Sequence, residues 1–356
     1  MESRYGSLKI MHHPEKLQSL LDKKTTAPVY VRVKPNNVCN HHCTYCYFGE
    51  GNENNVSENF IFKDQIPRNK MMEILDDFKD IGVKAVTYSG GGDPLIYHSI
   101  IETLHKTLEN GIDLSMITNG QRLDGERVEL LSHAKWVRIS LDSNNAKLFA
   151  NTRKVPEVWF NELLGKIENF AQKKDSTCEL GINYVVHNGN AMDVYDSVKL
   201  FRGLGVNHVK FTPMWNKEGF KEYHANTKEN VLAQIIRARE EFSGNGFLIH
   251  DTYGIDFDTA GICSRTYSRC HMMQILPVIG ADSKVYHCHD KAYDPTGCLG
   301  SIKNQSFKEL WFSEETARRF QEFDPRESCK HYCTSDSKNI ILEDTLNSAG
   351  DHVNFV

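Results

Sequence analysis

Three thiols, Cys39, Cys43 and Cys46, lie at C-x3-C-x2-C spacing in the run Cys39-Asn40-His41-His42-Cys43-Thr44-Tyr45-Cys46-Tyr47-Phe48. Thiolates are soft donors that suit iron–sulfur clusters or zinc. Three so close together grip one face of a metal centre without closing a four-coordinate one. A structural zinc site takes four protein ligands, so three with no nearby fourth point to a cluster that keeps one iron open for a substrate or cofactor. His41 or His42 as a fourth ligand would give the zinc alternative. A second group, Cys263, Cys270, Cys288, Cys298, Cys329 and Cys333, comes late in the chain. Cys270 and Cys288 bracket two strand-like runs, 274–279 and 284–287, around a turn at 280–283. Cys329 and Cys333 follow two helical stretches, 306–311 and 315–323. Two thiols flanking a hairpin and two after a helix assemble four ligands for a closed cluster, or equally for zinc.

The elements that must position these thiols follow from periodicity. Residues 29–33 form a short apolar run that reads as a first strand and leads into the first motif. Residues 68–81 have helical spacing, with Met72, Leu75 and Phe78 on one face. Strands are expected at 84–88, 113–117, 136–141, 179–186 and 208–212, alternating with helices at 99–109, 125–132, 156–173 and 193–204. Such alternation predicts right-handed β-α-β units on a parallel sheet. The fold class expected is therefore α/β: a partial (β/α)6 TIM-like barrel, with a small C-terminal β-hairpin/helix domain after it. The divisions are 1–27 as an N-terminal extension, 28–213 as the barrel, 214–262 as a bridge, 263–334 as the second cysteine domain and 335–356 as a tail.

Parallel barrels carry their chemistry at the C-terminal ends of the strands. Here those ends read Ser89-Gly90-Gly91-Gly92-Asp93-Pro94, then Thr118-Asn119-Gly120, then Ser140-Leu141-Asp142-Ser143. Glycines let backbone approach a ligand closely. Asn183 and His187 on the fifth strand, and Lys210 and Thr212 on the sixth, are further inward candidates.

Composition excludes several classes. A net charge of −5, with Lys and Arg interspersed among acids, leaves no nucleic-acid footprint. No apolar run approaches a membrane span, and the N-terminus lacks the apolar core of a signal peptide. The ten cysteines are thus expected in a cytoplasmic chain, where clustered thiols bind metal or do chemistry rather than form disulfides.

The thiol motif with its aromatic residues, followed in order by Gly-Gly-Asp, Thr-Asn-Gly and Ser-Leu-Asp at successive strand ends, resembles the radical S-adenosylmethionine (radical SAM) enzymes. The resemblance implies a 4Fe-4S cluster on Cys39, Cys43 and Cys46, with SAM on the fourth iron. It implies a 5′-deoxyadenosyl radical that abstracts a substrate hydrogen. Cofactor contacts are implied for Tyr45, Gly91, Gly92, Asp93, Thr118, Asn119, Ser140, Asp142 and Asn183; Asp93 stands where the family usually has Glu. The later cysteines resemble a SPASM/Twitch extension, with Ser283 at a position usually held by glycine. The Twitch form implies one auxiliary 4Fe-4S cluster on Cys270, Cys288, Cys329 and Cys333. Cys263 and Cys298 are then left as packing thiols, as replacements for one of those ligands, or as a hydrogen donor to a substrate radical. Lys210, Asp142 and His187 are candidate bases. The function expected is hydrogen abstraction from a small molecule, carbohydrate or aminocyclitol-like, for dehydrogenation or epimerisation, with an electron donor such as flavodoxin or ferredoxin. Modification of a peptide or protein is the alternative, and a non-catalytic iron–sulfur protein a third reading.

Overall fold

Val31 and Val33 are wholly buried and Arg32 between them is not, the period-two pattern of a strand with one face on helices and the other on a lumen. The same alternation runs through Trp136–Ser140 in a computed structural model that describes residues 6–49, 59–215, 220–259 and 264–348. The strands are β1 (Tyr30–Val33), β2 (Ala85–Tyr88), β3 (Asp113–Thr118), β4 (Trp136–Ser140), β5 (Glu179–Val186), β6 (His208–Pro213), β7 (Leu248–Asp251), β8 (Val278–Ile279), β9 (Lys284–Tyr286) and β10 (Cys298–Ser301). Strands β1 to β7 are parallel neighbours in chain order, and β8 pairs parallel with the open side of β1, giving one sheet in the order β10-β9-β8-β1-β2-β3-β4-β5-β6-β7. The expected open, partial barrel is therefore present, lengthened by β7 and by the hairpin strands, which continue the barrel sheet.

The helix at Arg68–Ile81 has the predicted bounds, and its buried face is Met71, Ile74, Leu75 and Phe78; Met72 is only half-buried. It ends at Gly82, whose φ of 80° is the left-handed cap that glycine adopts without strain. Phe307, on the helix Phe307–Trp311, packs edge-on against Phe78 at 5.3 Å, and Trp311 donates to the carbonyl of Thr26 at 2.9 Å. The cysteine-bearing C-terminal segment is thereby docked on the barrel's outer helices.

Two local expectations are corrected. Residues 272–275 form a helical turn rather than the start of a strand, and β8 has two residues. The side chain of Asn339 accepts from the amide of Met272 at 3.0 Å, and Gln274 accepts from the amide of Thr26 at 3.0 Å. All four residues of the turn are buried, so no alternation marks a strand edge there. The helix Ala146–Arg153 was not expected at all; Asn145 caps it by accepting from the amide of Leu148 at 2.9 Å.

Candidate active site

The thiol loop leaves β1 and is clamped from two sides. On one side it runs against the glycine turn: the amide of Gly92 donates to the carbonyl of Asn36 at 3.1 Å and that of Asp93 to Val38 at 2.9 Å. A Cβ on Gly92 would lie 1.8 Å from the Val38 carbonyl oxygen. The close approach these glycines allow is thus to the cysteine loop itself. On the other side, the last carbonyls of the helix Ala146–Arg153 accept from the loop amides, Arg153 from His42 and Thr152 from Thr44, both at 2.9 Å.

Arg153 is 2% exposed and pairs with the wholly buried Asp142, Nη2 to Oδ1 at 2.7 Å and Nε to Oδ1 at 3.1 Å. Its Nη2 also donates to the Tyr45 hydroxyl at 3.1 Å, and its Nη1 reaches the Cys43 sulfur at 3.8 Å. Burial pushes the Cys39 thiol up to about 12 and the Cys43 thiol up to about 11, with Arg153 opposing the shift at Cys43. Ligation of a metal by these thiols requires their deprotonation.

Asp93 is buried and bonded at both carboxylate oxygens. Its two carboxylate oxygens accept from the amides of Leu95 at 2.9 Å and Asn119 at 2.6 Å, and from the Thr118 hydroxyl at 2.9 and 2.8 Å. These three donors fix the carboxylate in place. Asp93 and Thr118 thus tie the ends of β2 and β3 together, and Asn119 reaches on to Asn40 at 2.8 Å and to the Cys39 sulfur at 3.9 Å.

Around this loop, buried polar atoms at successive strand ends lack hydrogen-bond partners among the described residues: Ser89 Oγ after β2, Asp142 Oδ2 and Ser143 Oγ after β4, and His187 Nε2 after β5. A buried polar atom left unpaired is costly unless a ligand satisfies it. These atoms, with the thiols, fit a bound metal cofactor together with a polar organic one. Deeper in the lumen, register aligns Ser140, Asn183, Lys210 and His250 across β4, β5, β6 and β7, so their side chains share one face.

In the second group, Cys270 feels the charges of Cys333 and Cys329, and Cys288 those of Cys270 and Cys333. Burial raises all four thiols, Cys270 to about 12 and Cys333 to about 11. Among the described residues, no three or more His, Cys, Asp and Glu side chains converge as a single metal ion requires. Cys298 stands apart, in a pocket of about 310 Å³ lined by Lys284, Tyr286, Tyr293 and Arg319. Cys263 lies outside the described residues, as do residues 50–58 of the polar loop after the first motif. Ser283, at the usual glycine position, takes a φ of 57°, a conformation that glycine adopts more readily.

Sequence reasoning missed the helix Asp336–Asn347. Its Asn339 donates to the Cys270 sulfur at 3.4 Å, Asp336 pairs with Arg265 at 3.1 Å, and Glu343 meets His271 at 3.0 Å. Asp336, Asn339 and Glu343 are spaced i, i+3, i+7, a one-faced helical pattern that was available in the sequence.

The comparisons agree with this geometry. The model of the Radical SAM superfamily matches residues 33–225, more than half of the chain, and that of an iron-sulfur cluster-binding domain, SPASM, matches residues 270–334. The chain is 25% identical over 329 residues to an AdoMet-dependent heme synthase of Methanosarcina barkeri, covering 85% of this chain and 87% of that one. It is 25% identical to an S-adenosylmethionine-dependent nucleotide dehydratase of Lacinutrix mariniflava, over 62% of this chain and about half, 48%, of that one. Among solved structures, Streptococcus suis SuiB bound to S-adenosylmethionine superposes with a TM-score of 0.66 at 17% identity, covering 97% of this chain and 82% of that one. The chain belongs to the radical SAM superfamily, takes 4Fe-4S clusters and SAM as its cofactors, and carries a SPASM-type cluster domain after its open barrel.

Proposed function

We propose that Cys39, Cys43 and Cys46 hold the SAM-binding cluster, that Cys270, Cys288, Cys329 and Cys333 hold one auxiliary 4Fe-4S cluster, and that the substrate is a small polar metabolite, a sugar or a nucleotide-linked one. Reductive cleavage of SAM supplies hydrogen-atom abstraction from carbon. The chain's own residues do the rest. Arg153 and Asp142 hold the thiol loop in place, and the strand-end atoms of Ser89, Asp142, Ser143 and His187 offer the polar contacts that orient a bound molecule and displace water. The row Ser140, Asn183, Lys210 and His250 is the observation that carries the reading: hydrogen-bonding groups in one plane of a lumen match a small molecule rich in hydroxyls. The names of the nucleotide dehydratase and of the GTP 3′,8-cyclases related to this chain at 25–27% identity support a substrate of that kind.

Lys210 is assigned as the group that takes or holds a proton at the substrate, and Asp142 is assigned to the ion pair with Arg153. The pocket of Cys298 shares no lining residue with the lumen row, so no hydrogen-donor role is given to it. A one-electron donor of the flavodoxin or ferredoxin kind completes the system. Among the described residues, no helix is long and apolar enough to cross a membrane.

The test is a screen of sugars, sugar nucleotides and short peptides for stimulation of 5′-deoxyadenosine release under anaerobic reducing conditions. Stimulation by a sugar or nucleotide is expected. With that compound, Lys210→Met is expected to keep its full iron content and lose 10²–10⁴-fold in product formation, the range for a lost acid–base group. Stimulation by peptides alone would overturn the small-molecule reading.

A further inference from the structure

Asn339 lies on the helix Asp336–Asn347, beyond residue 334, where the match to the iron-sulfur cluster-binding domain ends. It is wholly buried, and its side chain is bonded at both ends. Oδ1 accepts from the backbone amide of Met272 at 3.0 Å, and Nδ2 donates to the Cys270 sulfur at 3.4 Å. A backbone amide can only donate, so the first bond fixes which end of the side chain faces the sulfur. A neutral thiol is a weak acceptor and a thiolate a strong one. A buried N–H aimed at this sulfur is therefore well partnered when Cys270 is a ligand.

The helix is fastened to the segment that bears Cys270 on both sides of Asn339. Before it, Asp336 accepts from Arg265 Nη1 at 3.1 Å and from the Tyr267 hydroxyl at 2.9 Å. Arg265 Nη2 in turn donates to the carbonyl of His331, which lies between Cys329 and Cys333. After it, Glu343 accepts from the amide and the hydroxyl of Ser268, each at 3.1 Å, and meets His271 at 3.0 Å. Met272, Ile275 and Leu342 belong to one buried apolar cluster, with Cys270 packed against it. The N–H···S contact thus sits in a low-dielectric surround, where a hydrogen bond is stronger than in water.

We infer that Asn339 is a positioning residue of the auxiliary cluster, whose N–H bond to Cys270 raises that cluster's reduction potential; the inference rests on the assignment of Cys270 as a ligand proposed above. Reduction adds one negative charge, shared between iron and sulfur. A hydrogen bond into a ligand sulfur stabilises this more negative state more than the oxidised one. The first motif has a side-chain amide of its own, Asn119 at 3.9 Å from the Cys39 sulfur, so a change at Asn339 acts on the second cluster. The auxiliary site therefore extends past the matched domain into the C-terminal helix.

Anaerobic redox titration of the reconstituted holoenzyme, followed by electron paramagnetic resonance, tests this on the wild type, Asn339→Leu and Asn339→Asp. The SAM-binding cluster is the signal that changes when SAM is added, and the auxiliary cluster is the other. Leucine keeps a branched shape and removes the donor. Aspartate keeps an acceptor for the Met272 amide and, when ionised, puts a negative charge in place of the donor. In Asn339→Leu the SAM-insensitive signal is expected to be about tenfold harder to reduce, a shift of about 59 mV to more negative potential for one electron. Asn339→Asp is expected to shift at least as far, and the SAM-sensitive signal is expected to keep its wild-type potential in both. A SAM-insensitive signal that titrates in Asn339→Leu as it does in wild type would overturn the role of Asn339, as would an equal shift of both signals. Should Asn339→Leu take up only about four irons, Asn339→Asp decides, and a wild-type potential there would overturn it. Cys270→Ala tests the ligand assignment separately: it is expected to fall from about eight irons to about four and to keep the SAM-sensitive signal. Full iron content in Cys270→Ala, or a wild type without a SAM-insensitive signal, would overturn the assignment, and the inference with it.

Discussion

Replacing Asp142 by alanine is expected to destabilise the fold by about 3–5 kcal/mol, the range for removing one partner of a buried ion pair. Arg153 is left 2% exposed with, among the described residues, the Tyr45 hydroxyl and the Cys43 sulfur near its charge. The effect is large because the guanidinium cannot shed its proton. The same helix end accepts the amides of His42 and Thr44, so a shift of Arg153 moves the thiol loop. Iron uptake at the first motif should fall with stability. The double replacement Asp142→Leu with Arg153→Met separates the two effects. Exchange of a buried pair for apolar groups is often neutral or stabilising. The double variant should therefore recover most of the unfolding free energy, measured in urea, yet still fail to release 5′-deoxyadenosine. Recovery of activity along with stability would mean that the pair serves the fold alone.

Gly92→Ala should damage the thiol loop directly. The added Cβ meets the Val38 carbonyl oxygen at 1.8 Å and the Val38 carbonyl carbon at 2.3 Å, and both are backbone atoms that cannot rotate away. Overpacking of this kind costs about 1–3 kcal/mol. The larger consequence is local, because Val38 directly precedes Cys39. Iron content is expected to drop from about eight to about four per chain, as one of two 4Fe-4S clusters is lost. The hairpin cysteines lie on other elements and should keep theirs. Full iron content in Gly92→Ala would show that the turn and the thiol loop are not coupled.

Much of this was legible in the sequence because the signals are short in range. Thiol spacing, the glycine turn and the alternation of strand and helix each act within a few residues, and the bounds of Arg68–Ile81 followed from apolar spacing alone. The Asp142–Arg153 pair was not legible. Its members are 11 positions apart, joined by a helix with one large apolar side chain on its buried face, Phe149, too little to give a periodic stripe. The hairpin was placed too early because residues 272–275 are buried on every side and so carry no period. Asp93 was read as a ligand contact by resemblance, and its use in tying two strand ends depends on β2 and β3 lying side by side, which spacing does not reveal.

Anaerobic reconstitution with iron and sulfide, followed by SAM and dithionite, tests the central claim most directly when run on the wild type beside a variant with Cys39, Cys43 and Cys46 all changed to alanine. The account predicts about eight irons per chain and release of 5′-deoxyadenosine for the wild type, against about four irons and no 5′-deoxyadenosine for the variant. A variant that keeps all its iron, or that still cleaves SAM, would contradict it.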